Sequence, residues 1–457
     1  GVEVGAVVQQ PACTVRPRKH GGFAGPTWQH GRPMDLLDDL RARGLLHDST
    51  DLDALRARLA AGPIGLYIGF DPTADSLHAG HLVGQLFMRR FQMAGHRPFP
   101  LAGGATGMIG DPGGRSEERN LLDDDTLRHN VECIKAQLSR LLDFSPGPAQ
   151  ATLVNNADWT VGVSMLEFLR DVGKHFTVNQ MIAKDSVRSR IESEHGISYT
   201  EFSYMLLQAN DFRHLYEAHG VELQAGASDQ WGNITAGVEL IRRRLGKQAF
   251  AVTHPLMVKS DGAKFGKSVG GAVWLDPART SPYQFRQFWM QTDDQMVATY
   301  LKMLSLRPLE AVLALVADHE TAPERRAAQR ALADEMTALV HGAGAASAAA
   351  EAAAVLFGGD PTAASEDALE IVAAEVPSVA LPASLEGVRV HELLTAAGVA
   401  KSNSEVARLL AQKAVRAGNR VLDEDGLVHT SDLLSGRFLL LRKGKRDFVV
   451  GNFSAGG

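Results

Sequence analysis

The sequence predicts an α/β protein: a parallel-sheet domain, then a helical region, then a small α+β module at the C-terminal end. Three observations predict it. Strand-like and helical patterns alternate from Gly65 to about Thr253, Ser281 to His341 is helical throughout, and a short basic segment closes the chain. The 457 residues suit several domains at roughly 100–200 residues each. With 45% apolar and 22% charged residues, collagen-like, largely disordered and disulfide-scaffold classes are excluded. The alanine-rich stretch from Gly342 to Gly358 carries Glu351 and does not read as a membrane span.

In chain order, residues 1–33 hold Gly, Pro, Arg and His with little apolar periodicity and are expected to be a disordered extension. No apolar core of a signal peptide is present there. Met34 opens a helix-like run through Leu40. Leu66 to Phe70 reads as a buried strand. Leu82, Val83, Leu86, Phe87 and Phe91 follow at helical spacing, then the strand-like Pro98-Phe99-Pro100-Leu101. Strand, helix and strand in this rhythm call for parallel strands with crossover helices. Phe285, Phe288 and Trp289 mark the core face of the helical region. Pro361 and Pro377 lie in what reads as linker. Ser402 to Glu405 forms a capping-box pattern opening a short helix through Lys413, and Val421 and Phe438 to Leu441 suggest strands. The expected boundaries are 34–280 for the sheet domain, 281–345 for the helical domain, 346–387 for an alanine-rich linker and 388–457 for the last module.

Net charge is −6, unevenly spread. From Val388 onward 11 Lys and Arg face 7 Asp and Glu, a local +4 that leaves −10 for the rest. A basic module on an acidic body can bind nucleic acid locally, because phosphate responds to local charge. Cys13 and Cys133 form neither a CxxC pair nor a disulfide framework, which points to a reducing compartment. No Cys/His cluster argues for structural zinc or another structural metal.

The segment Tyr67-Ile68-Gly69-Phe70-Asp71-Pro72-Thr73-Ala74-Asp75-Ser76-Leu77-His78-Ala79-Gly80-His81 runs from a strand through a turn to a helix start. His78 and His81, three apart, share one side of a first turn, and Gly80 leaves room for a flat ring to approach. With Thr73 beside free helix N–H groups, the segment suits a polyphosphate. HxGH alone fits equally well with histidines that merely cap a helix. A second segment, Lys264-Phe265-Gly266-Lys267-Ser268, makes a cationic loop able to neutralise charge on a departing pyrophosphate, or an ordinary basic turn. Tyr204, Gln208 and Asp211 fall at i, i+4 and i+7, a polar stripe on an apolar helix that faces either a pocket or water. The glycine-rich Gly103 to Arg115 reads as a loop with a phosphate-binding possibility.

HxGH after a strand together with a downstream KxxKS resembles the paired signature of class I aminoacyl-tRNA synthetases. The longer string YxGFDPTxxSLHxGH, with Gly226-Ala227-Ser228-Asp229-Gln230-Trp231-Gly232-Asn233 and KFGKS, resembles the bacterial tyrosyl-tRNA synthetase family from about Met34 to the C-terminus. The resemblance implies a Rossmann-like catalytic domain with a connective insertion and a C-terminal RNA-binding domain. It also implies activation of L-tyrosine by ATP with Mg2+, transfer to tRNA(Tyr), a homodimer and a cytoplasmic setting without membrane attachment. It puts Tyr204, Gln208 and Asp111 on the α-ammonium, Asp211 and Tyr67 on the phenol, and Gln230 near the reacting carboxylate. Thr73 and His78 meet the γ-phosphate side and His81 the ribose. Lys264, Lys267, Arg115 and Arg119 meet the pyrophosphate. Gly69, Asp71, Gly80, Asp229 and Ser268 complete the ATP site, and Lys401, Arg408, Lys413, Arg442 and Lys443 would meet tRNA. Arg115 stands where the family commonly has lysine, and Ala227 where glycine is usual.

Three alternatives remain. The tryptophanyl relative is disfavoured by the polar Tyr67 and Asp211. A nucleotidyltransferase would lack the lysine loop and the basic tail. A non-catalytic RNA-binding protein is disfavoured by intact His78, His81, Lys264 and Lys267.

Overall fold

The computed structural model describes residues 35–111, 123–193, 196–262, 265, 267–268, 271–380, 388–400, 402–423, 426–444 and 447–452. The expected extension 1–33 lies outside them. The chain divides into two compact units, one of residues up to Thr280 with Gln291–Leu332, the other of Ser281–Met290 with Ala333 onward.

In the first unit, apolar runs form strands β1 (Gly65–Phe70), β2 (Arg97–Ala102), β3 (Val154–Asn155), β4 (Val221–Ala227) and β5 (Phe250–His254). They pair in the order β3-β2-β1-β4-β5, all parallel. The Leu82–Met93 helix crosses from β1 to β2 and is buried along nearly its whole length. The Tyr199–His219 helix starts where the Ser198 hydroxyl accepts the Glu201 N–H at 3.2 Å. It stops at Gly220, whose φ of +64° places it in the left-handed region and turns the chain directly into β4. Its Phe212 packs under the sheet with Tyr67, Phe99 and Leu101. Strand order reverses between β1 and β4, so a crevice opens beyond their carboxyl ends. That crevice positions everything functional below.

Short strands β6 (Lys267–Ser268) and β7 (Gly271–Ala272) pair antiparallel. The stretch that follows returns to the turn after β1: Ala79 N–H donates to Val273 O and Leu275 N–H to Leu77 O, each at 2.8 Å. Arg279 pairs with Asp75 while its guanidinium lies 3.6 Å over the Trp274 ring. These contacts tie two segments nearly two hundred residues apart.

The second unit carries a five-stranded sheet, in order β10 (Arg420–Val421), β9 (Val415–Ala417), β11 (Phe438–Lys443), β12 (Asp447–Asn452), β8 (Ser378–Ala380). Three sequence expectations change here. Residues 346–387 do not read as a loose linker: they include most of the Ala343–Leu356 helix, the Glu366–Glu375 helix and β8, with 381–387 outside the described residues. Ala348, Ala352 and Val355 pack against Phe438, Leu440, Phe448 and Val450. Alanine is the best helix former, and its small side chain lets a helix approach a sheet closely, so composition alone misreads the stretch. Residues 281–345 are helical as expected but split between the units, and Phe288 is half-buried where Phe285 and Trp289 are core. Ser402 caps the Asn403–Ala411 helix, but Glu405 turns to Lys443 Nζ (3.1 Å), and Lys413, at φ +53°, lies past the helix end.

If the alanine helix is core, Ala352→Glu destabilises the second unit by about 3 kcal/mol or more through a buried charge. Ala343→Glu, on an exposed position of the same helix, leaves stability within about 0.5 kcal/mol. Chemical denaturation of both variants checks this; equal midpoints would restore the linker.

Candidate active site

A cavity of about 370 Å³ opens at the carboxyl ends of β1 and β4. The signature turn, the polar helix stripe and the turn after β4 all reach it. Tyr67, Gly69, Asp71, Thr73, His78, Gly80 and His81 line one side. Tyr204, Gln208, Asp211, Asp111, Asp229 and Gln230 line the rest. The stripe at 204, 208 and 211 therefore faces a pocket, not water. Lys264, Arg115 and Arg119 lie outside the described residues, as does Lys401; Lys267 and Ser268 are described in backbone only, as β6. Phe265, between the lysines, is buried, sets its ring 4.9 Å from Tyr300 edge-on, and lines the same cavity.

The histidine turn is a reciprocal cap. His78 Nδ1 accepts the Gly80 N–H and His81 Nδ1 accepts the His78 N–H, both at 3.1 Å. An accepting Nδ1 carries no proton, so each neutral ring keeps its proton on Nε2. Burial, then the neighbouring His78, push His81 down to about 3, so it is neutral at pH 7. The space at Gly80 is taken by His78 itself: a Cβ there would lie 2.9 Å from His78 Cε1. The glycine admits the capping ring, where the sequence suggested a ligand ring. Asp229 does not cap the Trp231–Leu245 helix, whose N-cap residue is Gln230 and makes no side-chain cap.

At the other end Asp211 is 3% exposed. Its carboxylate accepts Asn156 Nδ2–H at 2.9 Å and Trp159 Nε1–H at 2.8 Å. Burial outweighs both donors and raises the carboxyl to about 7. The buried Tyr67 phenol, pushed well up by burial and by Asp211, donates to Gln208 O at 3.4 Å. Asp71 accepts from Tyr204 OH (2.9 Å) and Thr106 Oγ1 (2.8 Å), and Asn156 Nδ2 also reaches Thr106 Oγ1 at 3.0 Å. Gln230 Nε2 donates to Asp111 Oδ2 at 2.7 Å. A cavity with a carboxylate at each end and two neutral imidazoles beside it suits a zwitterion with a phenol, next to an anion.

Sequence reasoning missed Thr106, Asn156, Trp159 and His254. Asn156 had a usable signal, a polar residue just past a strand end in a parallel sheet; Trp159 had none. Of the basic residues expected to meet tRNA, Arg408 and Lys413 are exposed. Lys443 is tied to Glu405 and to Val399 O at 3.1 Å, and Arg442 Nη1 reaches Gly358 O at 3.5 Å. Among the described residues no group of three or more His, Cys, Asp or Glu could hold a metal ion. No described helix is long and apolar enough to cross a membrane.

Residues 59–358 match the family "tRNA synthetases class I (W and Y)", and residues 368–450 the "Tyrosine--tRNA ligase SYY-like C-terminal domain". The chain is 53% identical over 421 residues to a tyrosine–tRNA ligase of Opitutus terrae, covering 91% of this chain and 99% of that one. It is 48% identical over 421 residues to that of Geobacillus stearothermophilus, with 91% and 99% covered. Among solved structures, a C-terminally truncated Aspergillus nidulans mitochondrial tyrosyl-tRNA synthetase superposes with a TM-score of 0.65 at 31% identity, covering 72% of this chain and 95% of that one.

The raised Asp211 carboxyl has a stability consequence. Between its ordinary range near pH 4 and about pH 7 the folded state keeps a proton that the unfolded chain has lost, so this group's contribution falls as pH rises. Asp211→Asn removes that slope. The difference in unfolding free energy, variant minus wild type, should grow by a few kcal/mol from pH 4.5 to 8; a constant difference would refute the burial of an ionising group here.

Proposed function

The chain belongs to the class I tRNA synthetases of the W and Y group, and we propose that its β1–β4 cavity activates tyrosine with ATP before transfer to tRNA(Tyr). The overall reaction is tyrosine–tRNA ligation. The observation that carries the site assignment is the buried Asp211, oriented by Asn156 and Trp159, in one cavity with the neutral His78–His81 pair. Asp211 and Tyr67 take the substrate phenol; phenylalanine would leave the carboxylate without that partner. Tyr204, Gln208 and Asp111 take the α-ammonium, and Gln230, already on Asp111, lies beside the substrate carboxylate.

That carboxylate is ionised at pH 7 and attacks the α-phosphorus of ATP directly, expelling pyrophosphate without a general base. The work left to the chain is positioning and charge stabilisation. His78, through Nε2–H, and the Thr73 hydroxyl donate toward the γ-phosphate side, and His81 donates to the ribose through Nε2–H, both rings staying neutral. Asp229 takes the ribose hydroxyls, and Gly69, Asp71, Gly80 and Ser268 border the nucleotide. Lys264, Lys267, Arg115 and Arg119 neutralise the leaving pyrophosphate. Mg2+ travels with the triphosphate oxygens. In the second step a terminal ribose hydroxyl of tRNA attacks the tyrosyl carbonyl and releases AMP.

Arg408 and Lys413, exposed on the basic module, are the tRNA phosphate contacts best supported; Arg442 and Lys443 are engaged within their own unit, and Lys401 stays with the module by sequence alone. The setting is the cytoplasm, where these substrates meet. A homodimer is supported by the segment between Ala157 and Ile182, which exposes Leu166 (81%), Met165 (68%), Val161 and Val178. Large apolar side chains clustered at the surface mark an interface.

Tyrosine-dependent ATP–pyrophosphate exchange tests the cavity. Asp211→Ala should weaken tyrosine at least tenfold and narrow the preference for tyrosine over phenylalanine; unchanged discrimination would remove Asp211 from phenol recognition. Sedimentation tests the interface: the wild type should run as a dimer at micromolar concentration and Leu166→Asp as a monomer. A monomeric wild type would contradict the assembly.

A further inference from the structure

His254 is a buried histidine in the cavity that the mechanism above leaves unused. It ends β5, opposite Ala227 at the end of β4, and is 6% exposed. Its Nδ1 lies 3.0 Å from Pro255 O, a contact that only an Nδ1–H can make as a hydrogen bond. Burial lowers the imidazole to about 4, so at pH 7 the ring is neutral and its Nε2 is a bare acceptor. That atom sits 3.7 Å from where a Cβ on Gly84 would be. Gly84 lies in the first turn after His81 and lines the cavity too. Among the described residues Nε2 has no hydrogen-bonding partner. On the cavity wall, an acceptor without a protein partner is open to a ligand donor.

The side on which it lies fixes the ligand part. Asp211 and Tyr67 hold the phenol end, whereas His254 belongs with His81, Gly84 and Ala227, at the nucleotide end of the cavity. We infer that His254 Nε2 accepts a hydrogen bond from adenosine, through either its exocyclic amine or a ribose hydroxyl, and so helps to select the nucleoside. The inference rests on the ATP reading above. It also gives Ala227 and Gly84 a role: both are small beside the ring and leave the nucleoside a way in.

The test is pyrophosphate exchange on the full chain. His254→Leu should raise the KM for ATP about 5- to 10-fold with the KM for tyrosine unchanged, and His254→Gln, which retains an acceptor, should recover most of it. Purine riboside triphosphate, lacking the amine, and 2′- and 3′-deoxyATP identify the donor: relative to wild type, His254→Leu should lose discrimination against the one analogue that lacks the donor to Nε2 and keep the discrimination that Asp229 supplies at the ribose. Gly84→Ser places a hydroxyl within reach of Nε2 and should raise the KM for ATP more than Gly84→Ala does, which tests the acceptor even if His254→Leu folds poorly. A folded His254→Leu with wild-type KM for ATP and wild-type analogue preferences would overturn the inference, as would equal KM values for Gly84→Ser and Gly84→Ala. Absence of tyrosine-dependent exchange in the wild type would instead overturn the ATP reading and the inference with it.

Discussion

Two adjacent parallel strands whose connections leave in opposite directions set the terms for the site. Beyond the ends of β1 and β4 no crossover covers the sheet, and side chains from distant parts of the sequence meet in the opening. Strand β1 delivers Tyr67 and the histidine turn, β4 delivers Asp229 and Gln230, and the Tyr199–His219 helix supplies the polar stripe. The Val273–Leu275 stretch, bonded to Leu77 and Ala79, anchors the returning arm of the lysine-bearing segment beside the histidines. Two motifs far apart in sequence thus share a single edge.

Electrostatics follow from that enclosure. Four carboxylates, those of Asp71, Asp111, Asp211 and Asp229, line one small cavity, and neutral donors reach three of them: Tyr204 and Thr106 on Asp71, Gln230 on Asp111, Asn156 and Trp159 on Asp211. Neutral donors orient a carboxylate without cancelling its charge. Deepest of the three, Asp211 is driven up to about 7 by burial. The same enclosure keeps His81 uncharged, so it offers a directed N–H to an anion and no formal charge. On the proposed function, charge for the pyrophosphate is supplied by Lys and Arg side chains and not by these histidines.

Much of this was legible from residue order. Strand and helix periods around β1 and β2 followed from side chains that alternate or repeat at fixed spacing, and the stripe at 204, 208 and 211 followed from helical geometry. What stayed hidden depended on pairing across the sheet. Asn156, just past a strand end, could be read as a site residue, but nothing in the sequence announces that it and Trp159 both meet Asp211, because β3 brings them there from the far side of β2. The alanine helix was misread because its value lies in what it lets approach, not in its own area. Residue order likewise does not show that Lys443 is paired with Glu405.

The account stands on Asp211 being a buried group that titrates near neutrality and must be ionised to receive a phenol. Calorimetry of tyrosine binding in buffers of different ionisation enthalpy measures this directly. Near pH 7 binding should release about half a proton, since roughly half of the free protein carries a protonated Asp211 when pH equals pKa; the release should fade above pH 8 and vanish in Asp211→Asn. Tyrosine binding with no proton release across this range, or with proton uptake, would contradict the account.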